Sequence, residues 1–443
     1  MSRLSKSLLL GMACGAIGAQ PALAQEPYIT ENFEFAGYLR AGTGANSEGG
    51  DQVCFQAPGS GGKYRLGNEC EVYSELAFRY LAWQDDNSDA FFKINTLLAF
   101  VVPGEQDFET TSPAFRTVWV QGTNLFDGAL EGSTFWAGKR FYRRNDIHIN
   151  DFFYWGQGAS IGGGVEDVNT GFGKFAFAWL MNTADDTAEF LSPVLDGAGN
   201  ETGDFVTVGG GRVDVNDRTL QRFDFRLYDI PVNPGGSLEL GFDYRFSDES
   251  QDDFDGEDGF MINVQHFQEI SAIAGWNKFA LQYGEGAGAN LNDFGNDAQD
   301  SGNKTWRLVN QTLWEPTSQF SGLLGVVYED RDWDEEFGGG QEWFSIGVRP
   351  ILHFSQFVHL AFELGYDQVE PDNGDTRELT KFTIAPYLAR NPGFFKRPDL
   401  RLFLTYADWN EAADEAGVIT SGESPFGTDT HGWTYGVQTE VWW

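Results

Sequence analysis

Three aromatic residues stand beside charges on the polar face of alternating segments, where an apolar ring needs a reason. Tyr38 shares its face with Glu34 and Arg40. Tyr73 shares its face with Glu71 and Glu75, opposite Val72, Leu76 and Phe78. Trp442 shares its face with Gly436, Gln438 and Glu440, while Tyr435, Val437, Thr439, Val441 and Trp443 share the other. Packing against an infolded loop accounts for any one of them. Three together fit a ligand of mixed character, such as a pyranose ring, whose C–H face packs on aromatic rings and whose hydroxyl rim needs donors and acceptors. Contacts to a ligand that moves through must be individually weak.

The elements that must position these rings alternate with period two. In Leu238-Glu239-Leu240-Gly241-Phe242-Asp243-Tyr244-Arg245-Phe246 every even position is apolar or aromatic and every odd one is charged or Gly. The same pattern recurs from Phe33 to Arg40, from Phe362 to Asp367 and from Leu400 to Tyr406, so that one face can meet lipid and the other water. A soluble sandwich would also alternate. Strands of about nine to eleven residues, an aromatic share of 15% and unequal connections favour the membrane instead. Asn233-Pro234-Gly235-Gly236 and Asn391-Pro392-Gly393 are tight turns, whereas 42–64, 183–218, 247–259, 284–304 and 408–431 are long and polar. No apolar run after the first segment approaches the ~18 residues of a spanning helix. The expected fold is therefore all-β, a transmembrane antiparallel β-barrel of about 18 strands. Trp443 then faces lipid and Trp442 the lumen. Residues 139–155 mix charges and aromatics too densely for a lipid-facing strand, and read as a strand running into a loop folded inside the barrel to form a constriction.

Arg3 and Lys6, an apolar run from Leu8 to Ile17 and then Ala22-Leu23-Ala24 read as a signal peptide over 1–24, leaving 25–443 as the barrel domain. A lipoprotein site at Cys14 is the alternative, and Gly11, Met12 and Ala13 before it fit poorly. The formal charge is −37, and cleavage removes two basic and no acidic residues to leave −39, which argues against nucleic acid as a partner. Cys54 and Cys70 remain, an even number in an exported chain, and point to one disulfide pinning a loop. A zinc pair there has no neighbouring His. The acidic run 252–259 lacks the Glu in register that a calcium loop needs, so neither metal nor cofactor is expected. Hydrolysis by paired carboxylates needs two at a fixed separation, and an excess of acid specifies none; five His offer no local Ser–His arrangement. Enzyme activity is not expected.

The chain resembles the maltoporin family of trimeric sugar porins over essentially its whole mature length. The motifs are "GYLRAG", "CFQAPGSGGKYRLGNECE", "SPAFR", "WAGKRFYRRNDIHINDFFYW", "NPGGSLELGFDY", "FELGYDQVE" and the terminal "VWW". The resemblance implies an outer-membrane homotrimer that conducts maltose and maltodextrins along an aromatic slide. Carried over by motif, the slide falls on Tyr38, Tyr73, Phe108, Trp276, Phe354 and Trp442, with the loop bearing Phe108 reaching in from a neighbouring subunit. Phe153 takes the constriction position, usually Tyr in the family. The polar track falls on Arg40, Arg65, Glu75, Arg116, Arg144, Asp146 and Asp151, which would exchange water for charge-assisted hydrogen bonds to hydroxyls. For each of these an ion pair within the wall is the alternative, Arg144 with Asp146 above all. The departures at 108, 276, 354 and 153 leave substrate length and identity open, and a general diffusion or other-sugar porin is the second reading.

Overall fold

The alternating segments form antiparallel strands, each hydrogen-bonded to the next in chain order. They are β1 (Phe33–Asn46), β2 (Val72–Gln84), β3 (Phe91–Val102), β4 (Ala114–Thr123), β5 (Thr134–Phe141), β6 (Ala159–Asn169), β7 (Lys174–Ala188), β8 (Val213–Asn233) and β9 (Gly236–Ser247). Then follow β10 (Gly259–Ile270), β11 (Gly275–Gly286), β12 (Lys304–Thr317), β13 (Phe320–Asp332), β14 (Gln341–His353), β15 (Val358–Pro371), β16 (Arg377–Ala389), β17 (Asp399–Trp409) and β18 (His431–Trp442). β18 pairs back onto β1 from Tyr38↔Trp442 to Asn46↔Thr434, closing a barrel of eighteen strands. A two-residue strand, Tyr28–Ile29, adds to the start of β1 outside that ring. This computed structural model describes residues 28–443 apart from 31, 105–106, 157, 189–190, 196–200, 208–212, 248–257, 292–301 and 336–337. Over 28–29, 183–188, 191–195, 201–207, 213–219 and at 247 it describes the backbone alone. The signal segment 1–24 and most of the acidic run lie outside the described residues.

Closure pairs each of the eighteen ring strands on both sides, the condition for crossing hydrocarbon without a helix. The two faces separate as the pattern predicts. On β17 the outward Leu402 is 58% exposed and the inward Arg401 only 7%. The short turns lie on the rim where β1 begins and β18 ends, and the long connections on the other, so the first rim is periplasmic and the second extracellular. The strands run longer than the alternation suggests. β1 continues to Asn46, and β7 and β8 extend into the long connection between them, which carries its own hairpin of Leu191–Leu195 with Glu201–Thr207.

Several extracellular connections fold inward and fill part of the lumen, and two of them bear on the rings. The first, 47–71, is tied by a disulfide between Cys54 and Cys70, whose Cα atoms are 6.0 Å apart. Its Tyr64 ring lies flat over Gly347 and Gly365, paired neighbours on β14 and β15, where any Cβ would overlap the ring. Tyr64 also shares a hydrogen bond of 2.9 Å with Ser345, and the Leu66 carbonyl accepts from Lys381 Nζ at 2.9 Å. The second, 142–158, crosses the lumen as the constriction loop. Its hairpin, Asn145–Ile147 with Phe152–Trp155, is turned by Asp151 in the left-handed region at φ 52°. The apolar side of that hairpin is pressed on the far wall. Trp155 covers Gly241 on β9, Ile147 covers Gly325 on β13, and Phe152 meets Trp343 on β14 edge-on at 5.0 Å. Tyr154 donates its hydroxyl proton to Gln265 at 2.6 Å and accepts at its carbonyl from Gln282 at 2.9 Å.

Candidate functional site

β18, β1 and β2 bring together the inward rings that the alternation singles out. Because Tyr38 pairs with Trp442 across β1 and β18, and Arg40 with Tyr73 across β1 and β2, three rings from three strands come together. Tyr38 stacks on Trp442 with centroids 6.4 Å apart and planes at 13°, and Tyr73 lies 6.1 Å from Tyr38. The hydroxyls face charge. Arg65 donates to the Tyr38 oxygen at 2.6 Å, Tyr38 donates to Glu440 at 3.0 Å, and Tyr73 donates to Glu75 at 2.6 Å.

The polar track is mostly a network of shared carboxylates. Arg40 pairs with Glu71 and with Glu69 at 3.3 Å, and its guanidinium lies over the Tyr73 ring at 5.1 Å. Arg65 pairs with Glu69 at 2.7 Å and Glu440 at 3.2 Å, and Asp151 stands 3.9 Å from both arginines. Burial alone would make the Arg65 guanidinium easier to deprotonate, but the surrounding Tyr38, Glu69, Asp151 and Glu440 outweigh it and hold it charged. Arg144 does not pair with Asp146. It is sandwiched between Phe141 at 4.1 Å and Phe153 at 4.2 Å, with Arg116 over Phe141 at 5.0 Å. Asp146 is raised above the usual carboxylate range by burial, against the pull of Lys278 and Arg144, and its carbonyl accepts from Gln311 at 2.7 Å. Phe153 is partly exposed beside the Arg144 guanidinium.

The remaining ring positions are not in contact with the three. Phe108 is 91% exposed on the connection between β3 and β4. Phe354 is also exposed, on the turn between β14 and β15, because that turn carries it past the last inward position, His353. Trp276 opens β11 on the inward face, nearly buried and 6.0 Å from Phe267. No group of three or more His, Cys, Asp or Glu that could hold a metal ion occurs among the described residues.

A family model described as LamB porin matches residues 33–443. The chain belongs to the LamB porin family. It is an outer-membrane β-barrel, and its work is that of a porin channel. Solved structures include Acinetobacter baumannii OccAB2, at 10% identity and a TM-score of 0.48, covering 93% of this chain and 97% of that one. Another is OpdK of Pseudomonas aeruginosa, at 10% identity and a TM-score of 0.45, covering 94% and 100%. The family assignment rests on the whole-barrel match of the family model.

Several residues around the rings of this LamB porin lie outside the set of site residues expected from the sequence. Glu440 sits on the inward face of β18, accepts from Tyr38, Arg397 and Arg401, the last two at 2.8 and 2.9 Å, and forms an ion pair with Arg65 at 3.2 Å. Arg397 lies over Trp442 at 4.2 Å, and His148 meets it edge-on at 5.8 Å. His148 also meets Phe395 at 5.4 Å and Phe394 at 6.3 Å. Those two rings come from the turn after β16, which the Asn391-Pro392-Gly393 signal marks only as a turn. Two adjacent aromatics before Lys396 and Arg397 are the clue that it folds inward.

Burial among these rings, with Arg65 adding to it, holds the His148 imidazole well below its ordinary range. The unfolded chain takes up a proton that the packed loop refuses, so this contribution to stability is complete above about pH 6.5 and is lost as pH falls. The thermal unfolding midpoint should therefore drop from pH 7 toward pH 5, and drop less in His148→Gln. An equal drop in both proteins would remove His148 from the account.

Proposed function

We propose that this porin passes maltose and maltodextrins along the ring row Tyr73, Tyr38 and Trp442, the last offering only the edge that Arg397 and His148 leave open. The observation that carries the reading is the row itself: Trp442 stacked on Tyr38, with Tyr73 tilted beside it, bordered by tyrosine hydroxyls, arginines and carboxylates. That pairing of surfaces suits a sugar, apolar on its ring face and hydrogen-bonding on its rim. Phe108, Trp276 and Phe354 are proposed as further contacts from the family resemblance. In that arrangement the chain is a homotrimer and the exposed Phe108 enters the mouth of a neighbouring copy. Residues 1–24 direct export and are removed. The second reading, a general diffusion pore or a porin for another sugar, draws on the Phe153 ring, which offers no hydroxyl at the narrow point.

Conductance in a planar bilayer separates the two. Maltotriose should close the current reversibly and saturably, and sucrose should do so less well. A current that no maltodextrin reduces would leave the general pore as the reading.

A further inference from the structure

The wall beside the ring row carries apolar residues that the row does not use. β3 pairs with β2 as Tyr73↔Val101, Glu75↔Ala99, Ala77↔Leu97 and Arg79↔Asn95, which puts Val101, Ala99 and Leu97 on the lumen side with Tyr73. Barrel interiors are polar as a rule, yet Val101 is 55% exposed and Leu97 partly so. On β4 the next pairings are Leu97↔Thr117 and Asn95↔Trp119. Trp119 thus faces the lumen, between outward Val118 and Val120. Its ring is partly exposed and held in place by Arg140 over it at 4.2 Å and by Trp136 edge-on at 6.5 Å. Polar groups flank it, with Asn95 donating to Gln121 at 3.4 Å and the Arg79–Glu34 ion pair on the same row of pairings. Trp442, by contrast, is covered by Arg397 and His148 and only 8% exposed.

We propose that Val101, Leu97 and Trp119 form a second sugar-contact track, leading from Tyr73 down β3 to the periplasmic half of the channel. The ligand is the α-linked glucose oligomer of the reading above, on which this inference rests. Ring C–H faces pass from Tyr73 over Val101 and Leu97 to Trp119, with Asn95, Gln121 and the Arg79–Glu34 pair along the hydroxyl rim. From Val101 to the level of Asn95 and Trp119 is six residues of strand, about 20 Å. A trisaccharide on Tyr73 and Tyr38 does not reach Trp119, and a heptasaccharide does.

The test compares maltotriose and maltoheptaose closure in bilayers for the wild-type trimer, Trp119→Ala and Leu97→Asn. The track predicts about fivefold weaker closure by maltoheptaose in Trp119→Ala, the loss expected for one ring contact, with maltotriose closure unchanged. Leu97→Asn should shift in the same direction and decides the matter if Trp119→Ala does not assemble. Wild-type affinity for maltoheptaose in the variants, or an equal loss for both sugars, overturns the track. A wild-type channel closed by no maltodextrin overturns the sugar reading itself, and does so before any variant is made.

Discussion

Replacing Tyr73 by Ala should weaken maltotriose closure about tenfold, as expected for removal of one stacked ring, while the conductance without sugar stays near wild type. Tyr73 is the suitable ring to remove because little else depends on it. Its hydroxyl engages Glu75 alone, and Arg40, which lies over its face, keeps Glu69 and Glu71. Tyr38 is a poorer probe: its oxygen links Arg65 to Glu440, so truncation would disturb buried charges as well as the sugar. Tyr73→Phe separates the two contributions. It keeps the ring and loses only the hydroxyl, so most of the affinity should survive. Unchanged closure in Tyr73→Ala would mean that sugar does not travel over this row.

Gly241→Leu should raise the conductance and abolish sugar closure together. Gly241 is where the Trp155 ring lies against β9, so close that a Cβ would overlap it. A side chain there must either strain the packed ring, at a cost of about 1–3 kcal/mol, or lift the constriction loop from the wall. The neighbouring contact of Arg226 with Trp155, at 3.7 Å, would go with it. If the loop lifts, the lumen widens and Phe153, Arg144 and Asp151 leave the path proposed for the sugar. A variant that folds with wild-type conductance would show that the loop is held by its other anchors, Ile147 over Gly325 and Phe152 against Trp343.

Alternation read the walls well and the interior poorly. The inward placing of Tyr38, Tyr73 and Trp442 follows from period two alone, since a strand has only two faces. The same logic holds for Glu440, yet a face assignment does not reveal that one tyrosine and three arginines converge on one carboxylate. Phe354 rests on a motif instead: period two assigns it the face opposite His353, and it lies exposed on the turn that follows β14. Phe394 and Phe395 lie in a segment with no periodicity to read, and only packing against His148 shows that the turn folds inward.

From its sequence alone this chain is a membrane barrel with charged and aromatic groups on one face, two cysteines to tie a loop, and a terminal pair of tryptophans divided between lipid and lumen. Those properties are local, set by the two-residue repeat of an extended backbone and by residue type. Tertiary structure alone decides where 47–71 and 142–158 come to rest, because glycines on β9, β13, β14 and β15 admit Trp155, Ile147 and Tyr64 from far along the chain. It also decides which lumen rings stay open. Trp442 is covered by residues nearly three hundred positions away in one case and by a neighbouring turn in the other, whereas Tyr73 and Trp119 keep part of their surface in the channel.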